Sequence, residues 1–252
     1  MVLLQFLHSD PVGISYLLGC SVHRICAVVD AADDPDVYLR LAKEAEMRIA
    51  FVVDTHVHTD HVSFGSALAE ATGAAYVLSS VADVIVPFLG VDEGDAILVG
   101  DVTAKVLHTP GHTPEHICLV VSDRARGDEP WFVLTGHTLL VGGVGTPELA
   151  TSAKDGARIL YRSMQKLAAL PDYVEVLPGA GAGWSGIPGL SGKPWSTIGF
   201  EKRHNAAFRL QSEREFVDHL LATAPPTPLD AQIIRAVNAS GPSDHQLTER
   251  PT

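Results

Sequence analysis

Four residues able to hold a metal ion stand within a run of six, His56-Val57-His58-Thr59-Asp60-His61. Imidazole nitrogens suit zinc, iron or copper, and a carboxylate among them adds a hard oxygen donor. Seven of the 12 histidines (His56, His58, His61, His108, His112, His116 and His137) fall between positions 56 and 137. A solvated surface has no reason to concentrate imidazoles in this way, whereas a metal site does. His112 follows Pro110-Gly111, a step that forces a turn and presents the next side chain outward from a strand end. His137 follows Trp131-Phe132-Val133-Leu134-Thr135-Gly136, again a strand running into a glycine turn, and reads as a further ligand. His108 and His116 read as residues that orient ligands rather than ligate.

Strands must aim these side chains. Ile49 to Val53 reads as a buried strand directly before the histidine run, and Ile117–Val121 and Trp131–Leu134 as strands around a polar loop. Residues 2–7, 13–19 and 22–29 form a strand meander. Asp33-Asp34-Pro35-Asp36 caps a helix through about Arg48, and Val62–Thr72 is a helix ended by Gly73. A short strand follows at 75–78, and residues 83–108 suggest hairpins. A helix over 155–170, a strand over 174–177, a Gly/Pro-rich loop over 178–194 and helices near 197–209 and 212–222 complete the pattern. This order predicts an α/β chain of packed sheets with helices outside. Residues 1–225 are one domain, and 226–252 a Pro- and Ala-rich tail packing on or trailing from it.

Composition narrows the partners. The 252 residues are 46% apolar and 19% charged, ordinary for a globular chain, with a formal net charge of −12. That field repels phosphate backbones and argues against a nucleic-acid partner. No run approaches the roughly 18 apolar residues that span a bilayer, so no membrane is expected. Met1 to Leu7 lacks the basic flank and cleavage site of a signal peptide. Three cysteines without C-x-x-C spacing argue against disulfides and fit a cytoplasmic location. Cys20 and Cys26 lie in apolar runs and read as small core residues. A homodimer is the base-rate expectation.

The motifs resemble those of the metallo-β-lactamase-fold superfamily, and within it the persulfide dioxygenases, relatives of glyoxalase II. The resemblance rests on His56-Val-His-Thr-Asp-His61, Thr109-Pro-Gly-His-Thr113, Thr135-Gly-His-Thr138, Gly145-Thr-Pro-Glu-Leu149 and Pro178-Gly-Ala-Gly-Ala-Gly183. Ser196-Thr-Ile-Gly-Phe-Glu-Lys-Arg-His-Asn205 and Pro226-Thr-Pro-Leu-Asp230 are more specific to that branch. It implies a single-domain αββα sandwich with metals at the sheet edges. Against the family pattern, His137 stands where an aspartate is usual and Ala180 where a histidine serves a second metal. A neutral imidazole cannot bridge two dications, so one metal per chain is expected. By carry-over His56 and His112 are ligands, His137 takes the third place, and His58 is a candidate fourth. Asp60 and His61 would handle a proton or hold a ligand tautomer. Thr146 falls where the dioxygenases carry a substrate-facing arginine. Trp184, Trp195 and Phe200 flank the glycine-rich loop and read first as core aromatics, with lining of the substrate pocket as the alternative for all three and Trp184 as its candidate.

The expected activity is that of an Fe(2+) oxygenase acting on a small thiol or persulfide substrate, such as a specialised-metabolite intermediate. The runner-up is a Zn(2+)-dependent hydrolase of a thioester or lactone, and a third reading is non-catalytic metal or small-molecule binding.

Overall fold

Apolar, β-branched runs fold the first thirty positions into β1 (Val2–Ser9), β2 (Val12–Cys20) and β3 (Ile25–Val29). The computed structural model describes residues 1–10, 12–147, 152–183, 187, 189–210 and 212–241. Along β2, Ile14, Tyr16, Leu18 and Cys20 face one apolar cluster and Leu17 another. A strand covered on both faces reads as a continuous hydrophobic run. Asp34 caps α1 (Pro35–Glu44) by accepting from the Asp36 amide at 2.9 Å. That helix stops short of Arg48. Glu46 takes φ +54° and Met47 bonds back to Ala42. Arg48 instead opens β4 (Arg48–Val53), pairing with Ile25 in parallel. Sheet register claims the residues that helical periodicity alone would have kept.

The second helix, α2 (Gly65–Thr72), ends at left-handed Gly73. β5 (Ala75–Ser79) and β6 (Leu89–Val91) then extend the sheet in parallel. The hairpin expectation for 83–108 therefore holds only for β7 (Ala96–Val99) with β8 (Val102–His108). β9 (Ile117–Asp123) and β10 (Phe132–Gly136) follow, then the small hairpin of β11 (Leu139–Leu140) and β12 (Gly143–Val144). After α3 (Ala153–Ala168) come β13 (Glu175–Pro178) and β14 (Ser196–Thr197). Four helices complete the described chain: α4 (Ile198–His204), α5 (Ala206–Arg209), α6 (Glu213–Thr223) and α7 (Ala231–Ser240). The stretch after Pro225, expected as a tail, thus carries a helix.

Two six-stranded sheets result, ordered β1-β2-β3-β4-β5-β6 and β14-β13-β10-β9-β8-β7. Tyr16, Leu18, Val53, Val77, Val106, Leu119, Phe132 and Leu134 fill the space between them. Tyr38 and Ala42 of α1 and Leu68 of α2 cover the outer face of the first sheet. Leu160 and Met164 of α3, Ile198 of α4 and Phe216 and Leu220 of α6 cover the second. The layers are α, β, β, α, as the sequence resemblance implied. The β4, β8 and β10 strands end at one rim, where the histidines lie. The β2–β3 and β7–β8 turns lie at the opposite rim, about 20 Å away along the seven residues of β8.

Candidate metal centre

Three strand ends converge on one buried point. His56 follows β4, His112 follows β8 through the Pro110-Gly111 turn, and His137 follows β10. Gly111 has φ +139°, and a Cβ there would lie 2.5 Å from the Leu160 Cα. Only glycine lets this turn rest on α3 while His112 points inward. One ring nitrogen from each of His56, His112 and His137 lies within 4.8 Å of the other two. The ring centroids are 5.0, 4.7 and 5.1 Å apart, and all three rings are buried.

Hydrogen-bond bookkeeping sets the tautomers. The Thr55 hydroxyl donates its single proton to Asp30 at 3.0 Å, so at its 3.0 Å contact with His56 Nδ1 it must accept. His56 therefore carries its proton on Nδ1. Its Nε2 is buried with no hydrogen-bond partner, a lone pair facing the cluster. His112 Nδ1 donates to the Thr146 carbonyl at 2.7 Å, which leaves Nε2 as the lone pair, 3.3 Å from His137 Nδ1. Two nitrogens bound to one metal at about 2.0–2.1 Å stand roughly 2.9–3.4 Å apart, so this spacing suits a shared ion. His116 does not join them. Its Nε2 accepts from the His137 amide, and its Nδ1 contacts the Thr109 and Thr138 hydroxyls. It orients the cluster instead, with its ring stacked on His56 at 5.0 Å. His108, on the more exposed side, has its Nε2 3.0 Å from the Pro114 carbonyl.

Burial and crowding by the other imidazoles hold His56 well below the usual histidine value. Burial, partly opposed by Asp60, pushes His137 down to about 3. Both stay neutral at physiological pH, the form that binds metals. The orphaned His56 Nε2, the His112 Nε2 lone pair and its matching separation from His137 Nδ1 together fit a single ion held by His56, His112 and His137.

A charged layer lies behind. Asp60 Oδ1 is 3.1 Å from His61 Nδ1 and 3.7 Å from His58 Nδ1, and its Oδ2 is 3.8 Å from His137 Nε2. Burial would raise Asp60, but the surrounding imidazoles outweigh it and hold the carboxyl well below the usual range. At 13% side-chain exposure it is more open than His58, His61 or His137. His58 lies beside the three-imidazole set, its ring centroid 4.2 Å from that of His56. Its Nε2 contacts Asp30 at 3.3 Å. Burial lowers its basicity, but Asp30 and Asp60 more than offset this and keep it protonated to well above the usual value. Its Nδ1 is buried without a hydrogen-bond partner, 3.7 Å from Asp60. His61 Nε2 is buried without a partner.

Several supporting residues carried no signal in the sequence reading. Asp30, at the end of β3, receives the Thr55 amide at 2.7 Å as well as the hydroxyl. Asp54 accepts from Ser63 at 2.6 Å and Tyr76 at 2.8 Å. From α7, Asn238 donates to the His58 and His61 carbonyls, both at 2.9 Å, and accepts from the Ser63 amide at 2.9 Å. Arg235 donates to both oxygens of Glu115 at 2.9 and 3.1 Å and to the Val57 carbonyl at 3.0 Å, while Glu115 accepts from the Val57 amide. A carboxylate directly after a buried strand, at Asp30 and again at Asp54, is the one pattern that could have flagged two of these. Of the expected substrate residues, Thr146 is buried and meets the site through its carbonyl. Trp184 lies outside the described residues. Trp195 and Phe200 are 46% and 53% exposed, so neither packs in the core. Ala180 is fully buried against Leu140 in an apolar patch.

No family model matches the chain. A metallo-β-lactamase from Staphylococcus aureus subsp. aureus COL has the same fold with a TM-score of 0.92 and 32% identity, covering 100% of this chain and 75% of that one. ETHE1 from Myxococcus xanthus is 30% identical with a TM-score of 0.83, covering 95% of this chain and 99% of that one. The chain belongs to the metallo-β-lactamase superfamily. Among curated proteins, the hydroxyacylglutathione hydrolase of Pseudomonas aeruginosa is 31% identical over 161 residues, 64% of this chain and 58% of that protein. The chain thus matches little more than half the length of these curated relatives. Both kinds of relative agree with the glyoxalase II and persulfide dioxygenase branch of the superfamily. Among the described residues no helix is long and apolar enough to cross a membrane.

Proposed function

We propose that this superfamily member is a single-metal oxygenase, holding iron(II) on His56, His112 and His137 and acting on a small thiol or persulfide. The observation that carries the reading is the set of three buried imidazoles with one ring nitrogen each within 4.8 Å of the others, beside an apolar patch at Ala180 where family members place a second-metal histidine. Three facial ligands leave open positions for substrate and dioxygen. When bound, iron(II) supplies the redox chemistry that adds dioxygen to sulfur. Three neutral imidazoles cancel none of the ion's charge, so the site favours an anionic thiolate-type ligand. The Thr146 carbonyl holds the His112 ring, and the Thr55–Asp30 pair holds His56. Asp60 supplies the negative charge beside His137 that an aspartate ligand would otherwise bring.

Zinc-dependent thioester hydrolysis is the second reading, favoured by the names of the curated relatives. One ion that lowers the pKa of its bound water suffices for such chemistry. Anaerobic purification with metal quantification, then oxygen-uptake and thioester assays, separates the two. The expected outcome is about one iron per chain and oxygen uptake on adding a persulfide. Zinc with thioester turnover and no oxygen consumption would overturn the oxygenase reading in favour of the hydrolase.

A further inference from the structure

At the rim opposite the histidine centre, a cysteine, a histidine and a carboxylate come together from both sheets. Cys20 ends β2, His23 lies in the β2–β3 turn, and Asp101 lies in the β7–β8 turn. Cys20 Sγ is 3.7 Å from Asp101 Oδ2, and His23 Nε2 is 3.4 Å from Asp101 Oδ1. All three potential ligand atoms lie within 4.8 Å of one another. We propose that Cys20, His23 and Asp101 form a second metal site, for one thiophilic divalent cation of the zinc class, which staples the two sheets together.

Three observations support it. The first is spacing. Zinc binds sulfur at about 2.3 Å, imidazole nitrogen at about 2.0–2.1 Å and carboxylate oxygen at about 2.0–2.2 Å, so tetrahedral ligands stand roughly 3.2–3.6 Å apart. The measured 3.7 and 3.4 Å need little adjustment. The second is backbone geometry. Gly100 has φ +65°, and a Cβ there would lie 2.8 Å from both Cys20 Cβ and His23 Cδ2. The glycine lets the turn of one sheet close onto the ligands of the other. Arg124, the nearby cation, donates to the Gly100 carbonyl at 2.9 Å. The third is exposure. Cys20 is 3% exposed, whereas the His23 and Asp101 side chains are 51% and 32% exposed. The sulfur side is dry and the other side meets solvent, so a water can complete the tetrahedron.

Charge balances on binding. The Cys20 thiol proton, which now faces Asp101, leaves to solvent as the sulfur–metal bond forms. Thiolate and carboxylate then cancel the two positive charges, with His23 neutral. Affinity accordingly rises with pH by one released proton. Cys20, read from its apolar run as a core residue, packs in the core with its carbon atoms and presents its sulfur to the rim.

Cobalt(II) titration of the full chain tests the site, because a thiolate ligand gives a near-ultraviolet charge-transfer band that an imidazole-only centre cannot give. The band should appear in the wild type by about two equivalents, saturate at about one equivalent in His112→Ala, which lacks the histidine centre, and vanish in Cys20→Ser. His23→Ala, a change on an exposed turn, should weaken the cobalt binding read by that band at least about tenfold and, in a His112→Ala background, abolish the rise in Tm that zinc confers. Absence of the band in the wild type would overturn the proposal, as would a band that survives Cys20→Ser or wild-type affinity in His23→Ala. Because the readout is a thiolate band, its failure leaves the histidine centre untouched.

Discussion

His137 and Asp60 act as a pair in which the negative charge has moved one side chain outward. An aspartate ligand would place its charge on the metal, whereas here the carboxylate lies 3.8 Å behind the imidazole. Such partners orient the ring and raise its basicity, and losing one typically weakens metal affinity about 10–100-fold. Asp60→Asn should weaken metal binding by that factor, measured by competition against a chelator of known affinity. Unchanged affinity would make Asp60 a bystander. The three converging imidazoles were legible because His56 opens a dense histidine run after a strand and His112 and His137 each follow a strand-ending glycine turn. For His58 the sequence offered ligand-like spacing, and the folded chain adds a 3.3 Å contact of its Nε2 with Asp30. Asp30 itself was invisible, because an aspartate after a strand usually means a turn.

At the scale of elements, α7 holds the histidine loop in place. Arg235 pairs with Glu115, whose side chain is 2% exposed, and both contact Val57. Arg235→Ala would leave that carboxylate buried and unpaired, a loss of about 3–5 kcal/mol in stability. Burial alone would raise Glu115, but the hydrogen bonds and charge of Arg235 outweigh it and hold the carboxyl below its usual 4.5. A depressed folded value adds stability that is present above the unfolded value and lost as pH falls through the folded one. The gap between wild type and Arg235→Ala should therefore be widest at neutral pH and narrow toward pH about 4, where the variant's carboxyl protonates readily. Urea unfolding at the two pH values measures this, and a gap independent of pH would show that Glu115 is not the group responsible. The sequence pattern located most strands correctly because buried strands are apolar along their whole length. It missed α7, whose start lies just past Pro225, Pro226 and Pro228, and it overextended α1, because the contacts that decide both are remote in sequence.

For the whole molecule, any ion held by the folded chain alone stabilises it by mass action, about 2.7 kcal/mol when free metal is 100 times its Kd. In a Cys20→Ser background, which isolates the histidine centre, stripping metal with a chelator should lower Tm by roughly 5–10 °C, reversibly on adding iron. Calorimetry that shows the same Tm before and after would mean the centre binds no metal. Packed sheets with helices outside were readable from the order of apolar runs, and the αββα layering from the family resemblance, but which helix covers which rim was not. Asn238 clasps the His58 and His61 carbonyls across 180 and 177 positions of sequence. At about 5–20 residues per second a ribosome needs roughly 10–35 s to make that stretch, so the histidine loop emerges long before its clasp. Throughout that interval the loop lacks the two hydrogen bonds by which α7 fixes its path.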